Sequence, residues 1–187
     1  MKRIMLIGDS IRMGYQEQVK ALLGSGYEIW TPEENARFTK YTLNCLPEWL
    51  AAFPAPDLVH WNNGLWDTAT VCAEDGAFTP VDEYTRYLSI IARELLKNAP
   101  RVVFATTTPV QPGSANQVPE RIPVYNAAAE ALMREKGIPV NDLYHAVLPH
   151  IGTWICEDHI HLTDAGKAGC AAAMSPAGWI RSSCLPG

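Results

Sequence analysis

Short apolar runs alternate with longer amphipathic segments along the chain, and this alternation constrains the fold more than any other feature. Five such strand-then-helix units predict an α/β protein whose parallel sheet carries helices on both faces. The predicted strands lie at 3–8, 27–30, 57–62, 101–107 and 138–143, and the predicted helices lie near 13–24, 39–51, 82–98, 121–136 and 164–174.

Length and charge narrow the class of protein further. A chain of 187 residues buries a substantial core, and we expect a single domain over residues 1–187. Its 15 basic and 20 acidic residues give a formal net charge of −5 without a basic cluster, which disfavours nucleic acid as a partner. With 48% hydrophobic and 19% charged residues, the composition is typical of neither a disordered nor a membrane protein.

The cysteines and the amino terminus indicate a reducing compartment. Five cysteines are widely spaced and form no CxxC pair, so we expect reduced thiols rather than a disulfide scaffold or a zinc knuckle. Residues 1–3 lead directly into the first predicted strand, which is too short a stretch for a signal peptide. The sequence therefore predicts a cytoplasmic protein.

The turn Gly8-Asp9-Ser10 follows the first predicted strand. Neither GxGxxG nor GxxxxGK is present, so a phosphate-binding loop is disfavoured. A serine at this turn combines an exposed hydroxyl with an N–H near a helix N-terminus, an arrangement that suits both nucleophilic attack and oxyanion stabilisation. The alternative is that Ser10 only caps the helix.

A serine nucleophile needs a base, and the base needs an orienting acceptor. The segment CEDHIHLTDAG, residues 156–166, offers Asp158 and His161 three positions apart, just before the last predicted helix. This spacing can place the carboxylate beside the imidazole at the same sheet edge as Ser10.

The histidines of this segment have a rival interpretation as metal ligands. His159 and His161 alternate onto one face of the segment, with His145 or His150 as a further ligand in this interpretation. No ligand set with a recognised spacing accompanies them, and HExxH is absent. We therefore expect neither a metal nor another cofactor, and regard His145, His150 and His159 as incidental loop residues.

The segment DLVHWNNGLWD, residues 57–67, places two amides at the end of a buried strand. Burying Asn62 and Asn63 is costly unless their amides are hydrogen-bonded. One use for such an amide is as an oxyanion donor. The alternative is a turn, because Asn-Asn-Gly also favours positive φ.

Together, Gly8-Asp9-Ser10, the Asn/Gly segment after the third strand and Asp158-x-x-His161 resemble the SGNH (GDSL-type) hydrolase family over Gly8 to Gly166. The resemblance implies a three-layer α/β/α sandwich with a flavodoxin-like, five-stranded parallel sheet. It also implies hydrolysis of carboxylic esters without a metal. Ser10 would be the nucleophile, His161 the general base and then acid, and Asp158 the orienting carboxylate.

Two blocks depart from the family pattern. Ala36 stands where the family has a glycine whose N–H faces the oxyanion, and Trp66 stands where the third block, GxND, has its asparagine. We therefore expect Ala36, the segment at Gly64, and Asn62 or Asn63 to supply the oxyanion and substrate contacts.

The expected reaction is hydrolysis of a short-chain ester, with acetyl as the first choice, on a carbohydrate by analogy with the family. The chain has no lid-like insertion, and five aromatic residues are candidates to wall a small site or stack on a sugar: Tyr15, Trp30, Trp61, Trp66 and Trp154. An acyltransferase or thioesterase with the same triad, and a non-catalytic domain that binds a small ligand, remain open as alternatives.

Overall fold

The computed structural model describes residues 1–72 and 76–174, and its five strands form one parallel sheet. Numbered in chain order, the strands lie side by side as 2-1-3-4-5, the flavodoxin-like arrangement that the resemblance implies. Residues 73–75 and 175–187, which the expected single domain includes, lie outside the described part. The strands are β1 (Lys2–Ile7), β2 (Tyr27–Trp30), β3 (Leu58–Trp61), β4 (Val102–Ala105) and β5 (Val140–Asn141).

Helices cover both faces of the sheet and confirm the three-layer α/β/α sandwich. Alternate strand residues face opposite layers, so Leu6 and Val103 enter one apolar core while Met5 and Phe104 enter the other. The helices are α1 (Ser10–Leu23), α2 (Thr39–Ala52), α3 (Val81–Asn98), α4 (Arg121–Glu135), α5 (Leu143–Val147), α6 (Ile151–Trp154) and α7 (Asp164–Met174). Helices α1, α5 and α7 contribute to the first core, α2 and α3 to the second, and α4 to both.

Two helical regions differ from the sequence-based expectation. Helix α1 starts at Ser10 rather than near residue 13, because the side chain of Asp9 caps it by accepting a hydrogen bond from the Ile11 N–H at 2.9 Å. Helices α5 and α6 were not predicted, since segments of five and four residues are too short to show a helical period.

The order of the strands places a crevice at the carboxyl ends of β1 and β3. These neighbouring strands leave the sheet toward opposite layers, which is where open α/β sheets bind ligands. Ser10 follows β1 and residues 62–67 follow β3, so both segments reach this edge. Within the described residues, no helix is both long enough and apolar enough to cross a membrane.

Asp67 fixes the segment after β3 to the start of α2. Its buried carboxylate accepts hydrogen bonds from the Thr39 hydroxyl at 2.7 Å and from the Thr39 N–H at 3.1 and 3.2 Å, while no side chain of α2 caps that end. Burial raises the pKa of Asp67 to about 6, although hydrogen bonds from Thr39 and Thr79 act in the opposite direction.

Candidate active site

Ser10 occupies the first position of α1, directly after the capping residue Asp9. Its backbone N–H has no hydrogen-bond partner among the described residues and lies at the positive end of the helix dipole. The preceding turn requires glycine, because a Cβ atom on Gly8 would lie 2.7 Å from Cβ of Arg12. The turn therefore presents a hydroxyl and a free N–H side by side.

Arg12 stabilises this turn through hydrogen bonds from its side chain. Its guanidinium is buried and donates to the carbonyl oxygens of Gly8 at 3.2 Å and Glu34 at 3.1 Å. Burial is the main cause that lowers the pKa of Arg12, and the carboxylate of Asp9 partly opposes it. Arg12 thus joins the serine turn to the loop that precedes α2.

Asp158 and His161 lie on a small hairpin before α7. The hairpin is closed by a bridge between Ile155 and Leu162, and by the Cys156 N–H, which donates to the His161 carbonyl at 2.7 Å. Oδ2 of Asp158 lies 2.6 Å from Nδ1 of His161. Burial alone would raise the pKa of Asp158, but hydrogen bonds from the Ile160 N–H and from the ring and N–H of His161 lower it to about 2.

The structure brings Ser10, His161 and Asp158 together. Nε2 of His161 lies 2.9 Å from Oγ of Ser10, and its other ring nitrogen faces the carboxylate. With the Nδ1 proton donated to Asp158, Nε2 is left to accept the proton of the Ser10 hydroxyl. This arrangement has the hydrogen-bond sequence that activates a serine for attack on a carbonyl carbon.

Ala36 and Asn63, two of the predicted oxyanion donors, are hydrogen-bonded to other protein groups in the structure. The Ala36 N–H already donates to the Gly8 carbonyl at 3.1 Å, and the residue is fully buried. The Asn63 amide donates both to the carbonyl of Arg37 at 3.1 Å and to the hydroxyl of Thr42 at 2.9 Å. Both donors hold loops together instead.

Asn62 and Gly64 also lie outside the pocket that contains Ser10. The Asn62 amide donates to the Ala105 carbonyl at 2.9 Å, and its side chain lines a closed cleft beneath α1 with Asp9 and Arg12. Gly64 has a φ of +151°, and a Cβ there would lie 2.2 Å from Oγ1 of Thr107. Their positions satisfy buried polar groups and permit close packing.

The pocket beside Ser10 encloses about 190 Å³. One wall comes from the turn after β3, and the opposite wall from the loop after β4. Gln117 joins the two walls, because its amide donates to the Leu65 carbonyl at 2.8 Å and accepts from the Thr68 hydroxyl at 3.1 Å. The lining residues are Ser10, Leu65, Trp66, Ala69, Asn116, Gln117, Ile160 and His161.

Asn116 and Gln117 were not among the predicted site residues. They belong to the loop VQPGSANQVPE, residues 110–120, whose position after the fourth strand predicts that it lies at the ligand-binding edge. Its sequence alone does not show which side chains turn inward.

Of the five aromatic candidates, only Trp66 lines this pocket. Trp61 and Tyr15 are buried in the two cores. Trp30 stacks on Phe53, with 5.9 Å between ring centroids, and Trp154 stacks on His150 at 4.3 Å. Packing therefore accounts for four of the five.

The remaining histidines make local contacts. Nδ1 of His159 lies 3.1 Å from Oε1 of Gln111, and Nδ1 of His145 lies 2.7 Å from Oδ2 of Asp142. The second pair repeats the Asp-x-x-His spacing of Asp158 and His161, but no serine hydroxyl is bonded to His145 in the described structure. Residues 1–72 and 76–174 contain no group of three or more histidine, cysteine or acidic side chains placed to hold a metal ion.

Residues 6–168 match the family model described as the GDSL-like Lipase/Acylhydrolase family. Solved structures share the fold at low identity. An acetylxylan esterase from Geobacillus stearothermophilus is 17% identical with a TM-score of 0.78, covering 99% of this chain and 95% of its own. The acetyl xylan esterase AlAXEase is 19% identical with a TM-score of 0.74, covering 98% and 100%.

A GDSL-like lipase from Bacteroides thetaiotaomicron is 20% identical with a TM-score of 0.73, covering 92% of this chain and 85% of its own. A search of curated protein sequences finds no significant match.

Proposed function

Because the chain belongs to the GDSL-like lipase/acylhydrolase family, we propose that it is a carboxylic ester hydrolase that uses Ser10, His161 and Asp158 as a catalytic triad. The observation that carries this proposal is the distance of 2.9 Å between Oγ of Ser10 and Nε2 of His161. The carboxylate of Asp158 at the far side of the imidazole supports the same roles.

The proposed reaction proceeds in two acyl-transfer steps. The Ser10 hydroxyl attacks the ester carbonyl while His161 takes its proton, and His161 then gives that proton to the departing alcohol. Water next attacks the acyl-enzyme with His161 again as the base, which releases the acid and restores Ser10. The Ser10 N–H at the start of α1 is the donor that we assign to the oxyanion.

The size of the pocket favours a short acyl group. Its volume of about 190 Å³ is smaller than the roughly 300–1,000 Å³ typical of sites for drug-sized ligands. Leu65, Ala69 and Ile160 give it apolar walls that suit a methyl group. We therefore propose acetyl as the acyl group.

For the alcohol we propose a carbohydrate. Trp66 lies at the pocket with 40% of its surface exposed, which leaves part of its ring available to stack on a sugar face. Asn116 lines the same pocket and is exposed. Two of the structurally similar proteins are described as acetylxylan esterases, so acetylated xylo-oligosaccharides are the first substrates to test.

The test is hydrolysis of p-nitrophenyl acetate by the wild type, Ser10→Ala and His161→Ala, together with labelling of Ser10 by a fluorophosphonate. We expect both substitutions to remove turnover and Ser10→Ala to remove labelling. His145→Ala is the matched control, because it removes the histidine of the other Asp-x-x-His pair. Equal activity in Ser10→Ala and the wild type would refute the mechanism.

A series of p-nitrophenyl esters from acetate to decanoate tests the acyl group separately. We expect kcat/KM to fall as the chain lengthens, because a longer chain must extend beyond a pocket of about 190 Å³. A preference for long chains would contradict the assignment of acetyl.

A further inference from the structure

The two most exposed aromatic side chains of the described residues belong to two segments whose backbones are hydrogen-bonded to each other. Trp66 is 40% exposed and Phe78 is 44% exposed, whereas the other phenylalanine, tyrosine and tryptophan side chains there are buried or half-buried. Single exposed apolar residues are normal on a protein surface. Two exposed rings attached to one pocket wall call for a functional explanation.

Phe78 is attached directly to that wall. Its N–H donates to the carbonyl of Ala69 at 2.7 Å, and Ala69 lines the pocket with Ser10. The next residue, Thr79, donates its N–H to the carbonyl of Asp67 at 3.0 Å. Phe78 thus lies beside the turn that carries Trp66.

Phe38 reaches the same place from the start of α2. It precedes Thr39, which the carboxylate of Asp67 holds by the hydrogen bonds described above. The rings of Phe38 and Phe78 are 4.8 Å apart and tilted by 56°. Asp67 therefore links the backbone beside both phenylalanines to the turn that carries Trp66.

Polar contacts hold the backbone under these rings in place. The guanidinium of Arg121 donates to the Thr68 carbonyl at 3.3 Å and to the Thr70 hydroxyl at 2.6 Å. Gln117 holds the same turn at Leu65. The rings are thus presented to solvent by a fixed backbone, so little conformational entropy is lost when a ligand stacks on them.

The size and chemistry of the Phe38–Phe78 pair indicate which kind of ligand it binds. A stable protein partner buries about 800 Å² on each side, whereas two aromatic rings together offer at most a few hundred. A pyranose ring matches this smaller area, because its C–H groups pack on the electron-rich ring face while its hydroxyls stay in water. The guanidinium of exposed Arg37 lies 4.7 Å from the ring centroid of Tyr41, which is 6.1 Å from that of Phe38, so a donor for such hydroxyls is close to the rings.

We propose that Phe38 and Phe78 form a second sugar-binding subsite next to the Ser10 pocket, so that the substrate is an O-acetylated oligosaccharide rather than an acetylated monosaccharide. This inference rests on the proposed esterase function. The ester group lies at Ser10, its own sugar ring lies beside Trp66, and a neighbouring ring of the same chain lies on Phe38 and Phe78.

The test compares acetylated xylo-oligosaccharides of one to four units with p-nitrophenyl acetate, in the wild type and in Phe78→Ser. We expect kcat/KM of the wild type to rise by about three- to tenfold once the oligosaccharide reaches the pair, mainly through a lower KM. In Phe78→Ser this gain should disappear, while p-nitrophenyl acetate is hydrolysed as by the wild type. Leu22→Ser, which replaces a 54% exposed residue at the far end of α1, is the matched control and should keep the gain.

The subsite would be overturned if kcat/KM still rose with oligosaccharide length in Phe78→Ser, or if kcat/KM of the wild type did not depend on that length. Calorimetric binding of acetylated xylotetraose to Ser10→Ala, and to Ser10→Ala with Phe78→Ser, tests the subsite without turnover. Weaker binding by the second protein supports the subsite, and equal binding refutes it. Absence of both turnover and Ser10 labelling in the wild type would instead show that the esterase proposal has failed.

Discussion

Asp158 holds His161 through both of its carboxylate oxygens. Oδ2 lies 2.6 Å from the ring Nδ1, and Oδ1 accepts the backbone N–H of His161 at 2.9 Å. The bond to the backbone N–H fixes the position of the His161 main chain, and the bond to Nδ1 fixes the orientation of its ring. With its pKa lowered to about 2, the carboxylate stays ionised throughout the pH range of ordinary assays.

Asp158→Asn tests the side-chain bond. The new amide can donate to Nδ1, which would leave the proton on Nε2 and remove the acceptor for the Ser10 hydroxyl. We expect kcat on p-nitrophenyl acetate to fall by about 10²–10⁴-fold with little change in melting temperature. Asp142→Asn alters the other Asp-x-x-His pair and should leave kcat unchanged. Equal losses in the two variants would contradict the assigned role.

Ser10 and His161 should act as one unit. In the proposed mechanism, neither Ser10 nor His161 promotes attack on the ester without the other. We therefore expect kcat of Ser10→Ala combined with His161→Ala to be no lower than kcat of either single variant. Initial rates at saturating ester measure this. Losses that multiply would mean that the two residues work independently.

Gly8→Ala tests how closely the serine turn approaches α1. The added methyl group would lie 2.7 Å from Cβ of Arg12, so Arg12 must shift and its hydrogen bonds to the turn must weaken. We expect lower kcat and a free energy of unfolding reduced by about 1–3 kcal/mol. Gly26→Ala is the control, because a Cβ there meets no atom within 4 Å. Unchanged activity in Gly8→Ala would show that the turn tolerates the movement.

His60 should make the protein less stable in acid. It is fully buried on β3, and burial lowers its pKa from 6.5 to about 4. As pH falls from 6.5 to about 4, the unfolded chain binds a proton at His60 that the folded chain does not. The free energy of unfolding therefore decreases by up to about 3 kcal/mol.

Asp9 and Asp67 have the opposite effect on stability. Burial raises the pKa of each to about 6, so between pH 6 and 3.8 the folded chain binds protons that the unfolded chain does not, and stability rises as pH falls. The contribution of His60 is therefore read from the difference between the wild type and His60→Gln. Urea unfolding between pH 4 and 7 should show the wild type losing more stability than the variant as pH falls. Parallel curves would contradict this expectation.

The strands, the long helices and the group formed by Ser10, Asp158 and His161 were predictable because each has a local signal. Apolar runs mark the strands, and Asp158 and His161 are close in sequence at the end of a predicted unit. The distance from His161 to Ser10 follows once both lie at the carboxyl edge of a parallel sheet.

The oxyanion contacts were less predictable, because they depend on where side chains turn. Asn63 looks available in sequence, yet Thr42 and the Arg37 carbonyl occupy its amide. Asn116 carries no motif and comes to the pocket only through the path of its loop. Similarly, no local signal in the sequence marks Trp66 as the one aromatic candidate that lines the pocket.

The placement of the site in the chain has a consequence for biosynthesis. Ser10 leaves the ribosome 151 positions before His161. A nascent chain that has completed β1, β3 and β4 still lacks His161, the proposed base, and we expect it to hydrolyse no ester. Appearance of ester hydrolysis during translation would therefore time the docking of the last hairpin and α7 against α1, and not the formation of the sheet.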